Sequence, residues 1–72
     1  MAERPVGKVG EVIVRVRGGG SPGEVVLIVD GLPEAYLAYA HEAVPVGRKV
    51  LVVQDRGDRA VDVVPWDIQA PG

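Results

Sequence analysis

Hydrophobic and polar positions alternate with a period of two along most of this chain, and glycine or proline interrupts the alternation at short intervals. From Val9 to Arg17, Val12, Val14 and Val16 share one face while Glu11, Ile13, Arg15 and Arg17 form a mostly polar opposite face. That is the pattern of a half-buried strand. Gly18-Gly19-Gly20-Ser21-Pro22-Gly23 then supplies six turn-forming residues, and every position from Val25 to Val29 is apolar, so Glu24 to Asp30 predicts a strand covered on both faces. Asp30-Gly31-Leu32-Pro33 reads as a turn, because Asp-Gly tolerates positive φ and proline cannot continue a central ladder.

Glu34 to Ala40 fits two periods. Ala35, Leu37 and Tyr39 alternate with Tyr36, Ala38 and Ala40 as in a strand, while Glu, Ala and Leu also favour a helix. Seven residues do not separate the two, and the expectation is a strand. His41 to Gly47 reads as a connection with room for one helical turn before Pro45. Arg48 to Gln54 is a further strand, with Val50 and Val52 on one face and Leu51 and Val53 on the other. Asp55-Arg56-Gly57-Asp58 closes a hairpin into a last strand from Arg59 to Val64, ended by Pro65. The reading is all-β. Five short strands do not make an ordinary two-layer sandwich, but they can roll into a small closed or partly open five-stranded β-barrel, OB-fold-like in the first instance and SH3-like in the second.

Composition narrows this picture. With 72 residues there is room for one domain, read as an extension over residues 1–5, a barrel over 6–65 and a tail over 66–72. The absence of cysteine excludes disulfides and thiolate metal sites, so packing or a partner must stabilise the fold. No stretch approaches the roughly 20 apolar residues of a spanning helix, and no apolar run follows the N-terminus as in a signal peptide. The expected location is the cytoplasm, with any membrane association made through a partner.

Catalytic raw material is scarce. Ser21 and His41 are the only serine and histidine, and the chain has no threonine or asparagine. A triad needs an acid that orients the imidazole, and Ser21 lacks the strand-to-helix elbow of a nucleophile. One histidine with scattered carboxylates gives no metal-ligand spacing. Gly18, Gly20 and Gly23 satisfy G-x-G-x-x-G in form, but the fingerprint must open a helix to face a pyrophosphate, and here it opens a strand. Asp55, Asp58 and Asp62 are interleaved with Arg56 and Arg59, which reads as a solvated hairpin with surface ion pairs. The chain is therefore read as a non-enzyme without cofactor or metal.

Gly7-x-x-Gly10 opens the first strand, Pro22-Gly23-Glu24-Val25 the second, and Val29-Asp30-Gly31 precedes a short segment with an aromatic and alanines. Val46-Gly47-Arg48-Lys49-Val50-Leu51-Val52-Val53 follows, then the Asp55 to Asp58 turn and Val61-Asp62-Val63-Val64-Pro65. In this order and spacing, Gly7 to Pro65 resembles the small C-terminal OB-fold domain of the NfeD family. It departs from that pattern at Leu32-Pro33, an apparent insertion, and at Tyr36, where the family often places Trp. The resemblance implies a non-catalytic domain that in longer relatives follows membrane helices, sometimes with a serine protease domain, and works alongside stomatin-like (SPFH) membrane proteins.

Two surfaces are then candidates. If Val25, Leu27 and Val29 fill the barrel, Val26 and Ile28 point outward, and either Leu51 and Val53 or Val50 and Val52 join them. A barrel this small has no second layer to cover such a surplus, so the exposed set is read as a protein interface at Val26, Ile28, Tyr36 and Val53, for an SPFH-type partner or for self-association. The competing reading folds the His41 to Gly47 connection and the Trp66 tail over that face. The alternative function is a single-stranded nucleic-acid-binding OB domain that uses Lys8, Arg15, Arg17 and Tyr36, with Arg48 and Lys49 extending the basic strip. Against it stand a net charge of −2 and the odd spacing of Tyr36 and Tyr39, which puts them on opposite strand faces.

Overall fold

The structure is a computed structural model that describes residues 4–66. Five strands make up the fold: β1 (Val9–Val14), β2 (Gly23–Val29), β3 (Leu32–Tyr39), β4 (Lys49–Gly57) and β5 (Ala60–Pro65). They form a closed barrel in the order β1-β2-β3-β5-β4, with β4 returning to β1. Every contact is antiparallel except β3 with β5, which is parallel and spans only Leu37↔Ala60, Ala38↔Val61 and Tyr39↔Asp62. This is the expected all-β, OB-like barrel, and no helix is present among the described residues.

The interior holds Leu27, Ala38 and eight of the sixteen valines: Val12, Val16, Val25, Val44, Val50, Val52, Val61 and Val63. Strand alternation explains the selection. Val50 and Val52 face inward opposite Pro65 and Val63, so Leu51 and Val53 take the outer side. No charged or polar side chain is buried among the described residues.

Several local expectations are corrected. Val14 does not share a face with Val12 and Val16: the β1–β2 register shifts between Val12 and Val14, and this bulge turns Val14 outward to 47% exposure. Val16 regains the interior through a two-way backbone bridge to Val44. Val44 is held by that bridge, so no helical turn precedes Pro45; the connection closes the barrel beside β1 and leaves the outer face uncovered. Leu32 and Pro33 belong to β3. The turn is only Asp30-Gly31, both at positive φ (52° and 80°) as a type I′ hairpin requires. Pro33 is tolerated because β3 pairs only with β2 there, and β5 joins from Leu37 onward.

The last hairpin is also longer than its sequence reading. β4 runs to Gly57 and the turn is Asp58-Arg59, again with both residues at positive φ (52° and 58°). The glycine-rich segment is tighter than a six-residue loop, since Gly18 and Ser21 form a bridge with Gly19-Gly20 between them. Pro5 is buried and its carbonyl accepts from the Lys8 N–H, while the Trp66 N–H donates to the Lys49 carbonyl at 2.9 Å. The remainder of the expected tail lies outside the described residues.

Two glycines permit the strong coiling of β1 and β2. A Cβ on Gly10 would sit 2.5 Å from Leu27 Cδ2 and 2.6 Å from the Val26 carbonyl oxygen. One on Gly23 would sit 2.3 Å from the Val14 oxygen and 2.5 Å from that of Arg15. Both belong to the sequence elements that carried the family resemblance.

Candidate protein-docking face

Each strand of the barrel has an outer side, and exposed apolar side chains stand on all five. Val9 of β1 stands beside Leu51 of β4, and Leu51 beside Val64 of β5. Val9 and Ile28 both border a shallow hollow of about 270 Å3 together with Gly10, Glu11, Val26 and Lys49, just beyond the last β1–β2 ladder pair, Glu11↔Val26. Ile28 is 53% exposed, Val9 43% and Val64 37%. Val53 follows Leu51 on the same side of β4, at 47%. The outer row Val9, Leu51, Val64 crosses β1, β4 and β5, and Val64 and Val53 border the cleft that also holds Tyr39, Arg56 and Asp62.

A second row lies next to the first: Val26, Glu11, Lys49 and Trp66. Its two charges neutralise each other, with Lys49 Nζ donating to Glu11 Oε1 at 2.8 Å. Exposed apolar side chains gathered around such a neutralised pair are the kind of surface that interaction sites use.

Of the expected interface residues, Val26 and Ile28 border the hollow beside β1, Val53 borders the larger cleft against Tyr39 and Arg56, and Tyr36 borders neither. Tyr36 is paired with Val25, takes the inward-facing side of β3 and packs against the core. In its place the face contains Val9, Leu51, Val64 and Trp66, which single-strand alternation could not assign because their neighbours across the ladder were unknown.

The polar side-chain contacts gather around the β3–β5 contact. Arg56 stacks over the Tyr39 ring at 3.8 Å and forks onto Asp62, with Nη2 donating to Oδ1 at 2.9 Å and Nε to Oδ1 and Oδ2 at 3.1 Å. Arg59 lies over Tyr36 at 5.3 Å and donates to Glu34 Oε1. Hydrogen bonding to Asp62 and to Glu34, respectively, raises both guanidinium pKa values above their ordinary range. These contacts bracket the short parallel β3–β5 ladder.

The candidate nucleic-acid residues are dispersed. Lys8 precedes β1, whereas Arg15 and Arg17 follow its bulge, roughly 20 Å away along an extended chain. Tyr36, the stacking candidate, already carries Arg59 over its ring. Ser21 and His41 are exposed, no hydrogen bond joins their side chains, and no group of metal-ligating residues occurs among the described residues. A cleft of about 510 Å3 lies between Gly19-Gly20, Tyr39 to His41 and the outer side of β4 and β5. No catalytic feature is evident among the described residues.

The architecture is that of a small OB-like barrel whose distinguishing surface is apolar rather than basic or catalytic. Residues 9–64 match the NfeD C-terminal domain, and the chain belongs to that family. The barrel is similar to the soluble domain of the NfeD protein YuaF from Bacillus subtilis (TM-score 0.68, 28% identity, over 82% of this chain and 70% of that one). It is also similar to the C-terminal domain of stomatin operon partner protein 1510-C from Pyrococcus horikoshii (TM-score 0.63, 25% identity, over 93% and 95%). No curated protein shows a significant sequence match.

Proposed function

We propose that this domain is a non-catalytic protein-interaction module that works with a stomatin or SPFH-type membrane protein and docks through the outer face around Val26, Ile28 and Val53. The working unit is the barrel of residues 6–65, and any membrane association comes through the partner. The observation that carries the reading is the apolar field across β2, β1, β4 and β5, which no other part of the described chain covers. The similarity to a protein described as a stomatin operon partner supports the choice of partner.

Titration of the labelled domain with the soluble SPFH domain of a stomatin-like protein tests it. The expected result is saturable binding that Ile28→Glu weakens at least tenfold, while Leu32→Ser, which by strand alternation lies on the other face from Ile28 and its partner Pro33, leaves it unchanged. Absence of binding, or binding indifferent to Ile28→Glu in a folded variant, overturns the reading.

A further inference from the structure

We propose that the open edge of β2 at Ile28 takes an extended segment of the partner protein as an added strand, which seats an uncharged apolar side chain in the hollow beside Val9 and Val26. The inference rests on the reading of Val26 and Ile28 as part of a docking surface, and it specifies the conformation and chemistry of what docks there.

The strands part at this place. The β1–β2 ladder stops at Glu11↔Val26, while β2 continues through Leu27, Ile28 and Val29 paired to β3 alone. β1 is drawn toward β4 instead, where the Gly7 N–H donates to the Val52 carbonyl and the Val52 N–H to that of Lys8. On the far side of the hairpin, β5 joins β3 only from Leu37 onward, so Leu32 to Tyr36 have no ladder partner there. The end of the β2–β3 hairpin is therefore a two-stranded ribbon with an edge on each side.

Register decides which backbone groups point outward. The two-residue type I′ turn makes Val29↔Leu32 the hydrogen-bonded closing pair. Pairs alternate from there, so Leu27 and Glu34 exchange bonds, whereas the backbone groups of Ile28, Pro33, Val26 and Ala35 turn away from the partner strand. The same count turns Leu37 toward β5, and its N–H donates to the Arg59 carbonyl at 2.8 Å.

The two edges differ. On β3 the outward residues are Pro33, which has no N–H, and Ala35, whose carbonyl accepts from Arg59 Nε at 3.4 Å. That is the blunting by proline and charge that sheet edges commonly carry. On β2 the outward residue beyond the ladder is Ile28, which keeps both an N–H and a C=O. Such a donor–acceptor pair is matched by the main chain of another extended segment, as in β-augmentation. The hollow beside it selects the side chain: Val9, Gly10, Val26 and Ile28 line it with Glu11 and Lys49, whose charges cancel across 2.8 Å. A polyanion finds no unneutralised cation among these residues, and an uncharged apolar side chain leaves the pair intact. One outward residue supplies two main-chain bonds, so the added strand is short.

Amide hydrogen exchange on the isotope-labelled chain tests this. In the free domain the Ile28 N–H should exchange far faster than those of Val26 and Leu27, which belong to the β1 and β3 ladders. An Ile28 amide as protected as theirs means an edge already covered and overturns the proposal. Two probes are added separately to saturation: the soluble SPFH domain of a stomatin-like protein, and an acetylated, amidated hexapeptide of alternating serine and valine. Each should slow exchange at Ile28 at least tenfold. The same hexapeptide N-methylated at every residue keeps its side chains but has no main-chain donors, and should give no protection. Exchange at Ile28 unchanged by both probes overturns the proposal, as does equal protection by the methylated peptide. Protection that rises with the domain's own concentration assigns the edge to a second copy and also overturns it. An SPFH domain that binds without slowing Ile28 removes strand addition and leaves the docking reading, whereas protection by the hexapeptide without SPFH binding upholds strand addition and removes the proposed partner.

Discussion

Replacing Gly23 with alanine probes the closest backbone approach in the barrel. The added Cβ would stand 2.3 Å from the Val14 carbonyl oxygen, 2.5 Å from the Arg15 oxygen and 2.6 Å from the Arg15 carbonyl carbon. All three are main-chain atoms, so no rotamer change relieves the overlap, and the bulged end of β1 must move away from β2. That movement pulls on the Val14↔Glu24 pairing and, two residues on, on the Val16–Val44 bridge that seats two core valines. Overpacking typically costs about 1–3 kcal/mol, and an obstacle made of backbone belongs at the upper end of that range. Alanine also restrains the unfolded chain, which returns about 0.4–1 kcal/mol. The net loss is then about 2–3 kcal/mol from a total on the order of 4–10 kcal/mol for a domain of this length. At about 4–8 °C per kcal/mol the melting temperature should fall by about 10–20 °C. Far-UV circular dichroism against temperature and urea measures it, with Gly19→Ala as comparison, since that site has positive φ (60°) but nothing within 4 Å of a Cβ. A Gly23→Ala protein that melts within a few degrees of wild type, or above it, refutes the close approach of β1 and β2.

Other expectations follow from the same geometry. Leu27→Ala empties a fully buried site at the centre of β2 and should cost about 3–5 kcal/mol, read from urea midpoints. The raised guanidinium pKa values of Arg56 and Arg59 imply stabilisation that is complete below the unfolded-state arginine pKa and lost only as pH rises through a still higher folded-state value. The destabilisation caused by Arg56→Gln, measured by urea unfolding, should therefore show no change from guanidinium titration between about pH 6 and pH 9. A fluorescent single-stranded oligonucleotide should show no salt-sensitive change in anisotropy, because Lys8 is remote from Arg15 and Arg17 and Tyr36 is covered by Arg59.

Strand content and barrel closure are legible from the valine alternation and the punctuation of glycine and proline, because both are local. What depends on pairing across the ladder is not. Val50 to Val53 alternates whichever pair faces inward, and the choice is made by Val52 standing opposite Val63. Val14 leaves the core because of a backbone bulge, which apolar alternation alone does not locate. Tyr36 looks like an outward residue until its register with Val25 is known. Asp58-Arg59 forms a left-handed turn with no glycine at either position, so Gly57 beside it attracts the turn assignment instead. Ile28 and Val26 were legible as outward residues because Val25 and Leu27 between them had to face in.

The polar side-chain contacts gather at the β3–β5 contact, and this has a physical reason. The parallel β3–β5 contact has only three ladder pairs, so its closure is supplemented by side chains: Arg56 with Tyr39 and Asp62 at one end, Arg59 with Tyr36 and Glu34 at the other. The β1–β4 contact has no such need, because backbone bonds continue it on both sides, from Gly7 to Val52 and from Val12 and Val16 to the segment at Val44 to Arg48. Its outer side carries the Lys49–Glu11 ion pair among exposed apolar residues. Closure and association therefore belong to different residues. Arg56→Gln should lower the urea midpoint without altering binding to the SPFH domain, and Ile28→Glu should weaken that binding without lowering the midpoint; a variant set in which the two effects always move together would contradict the separation.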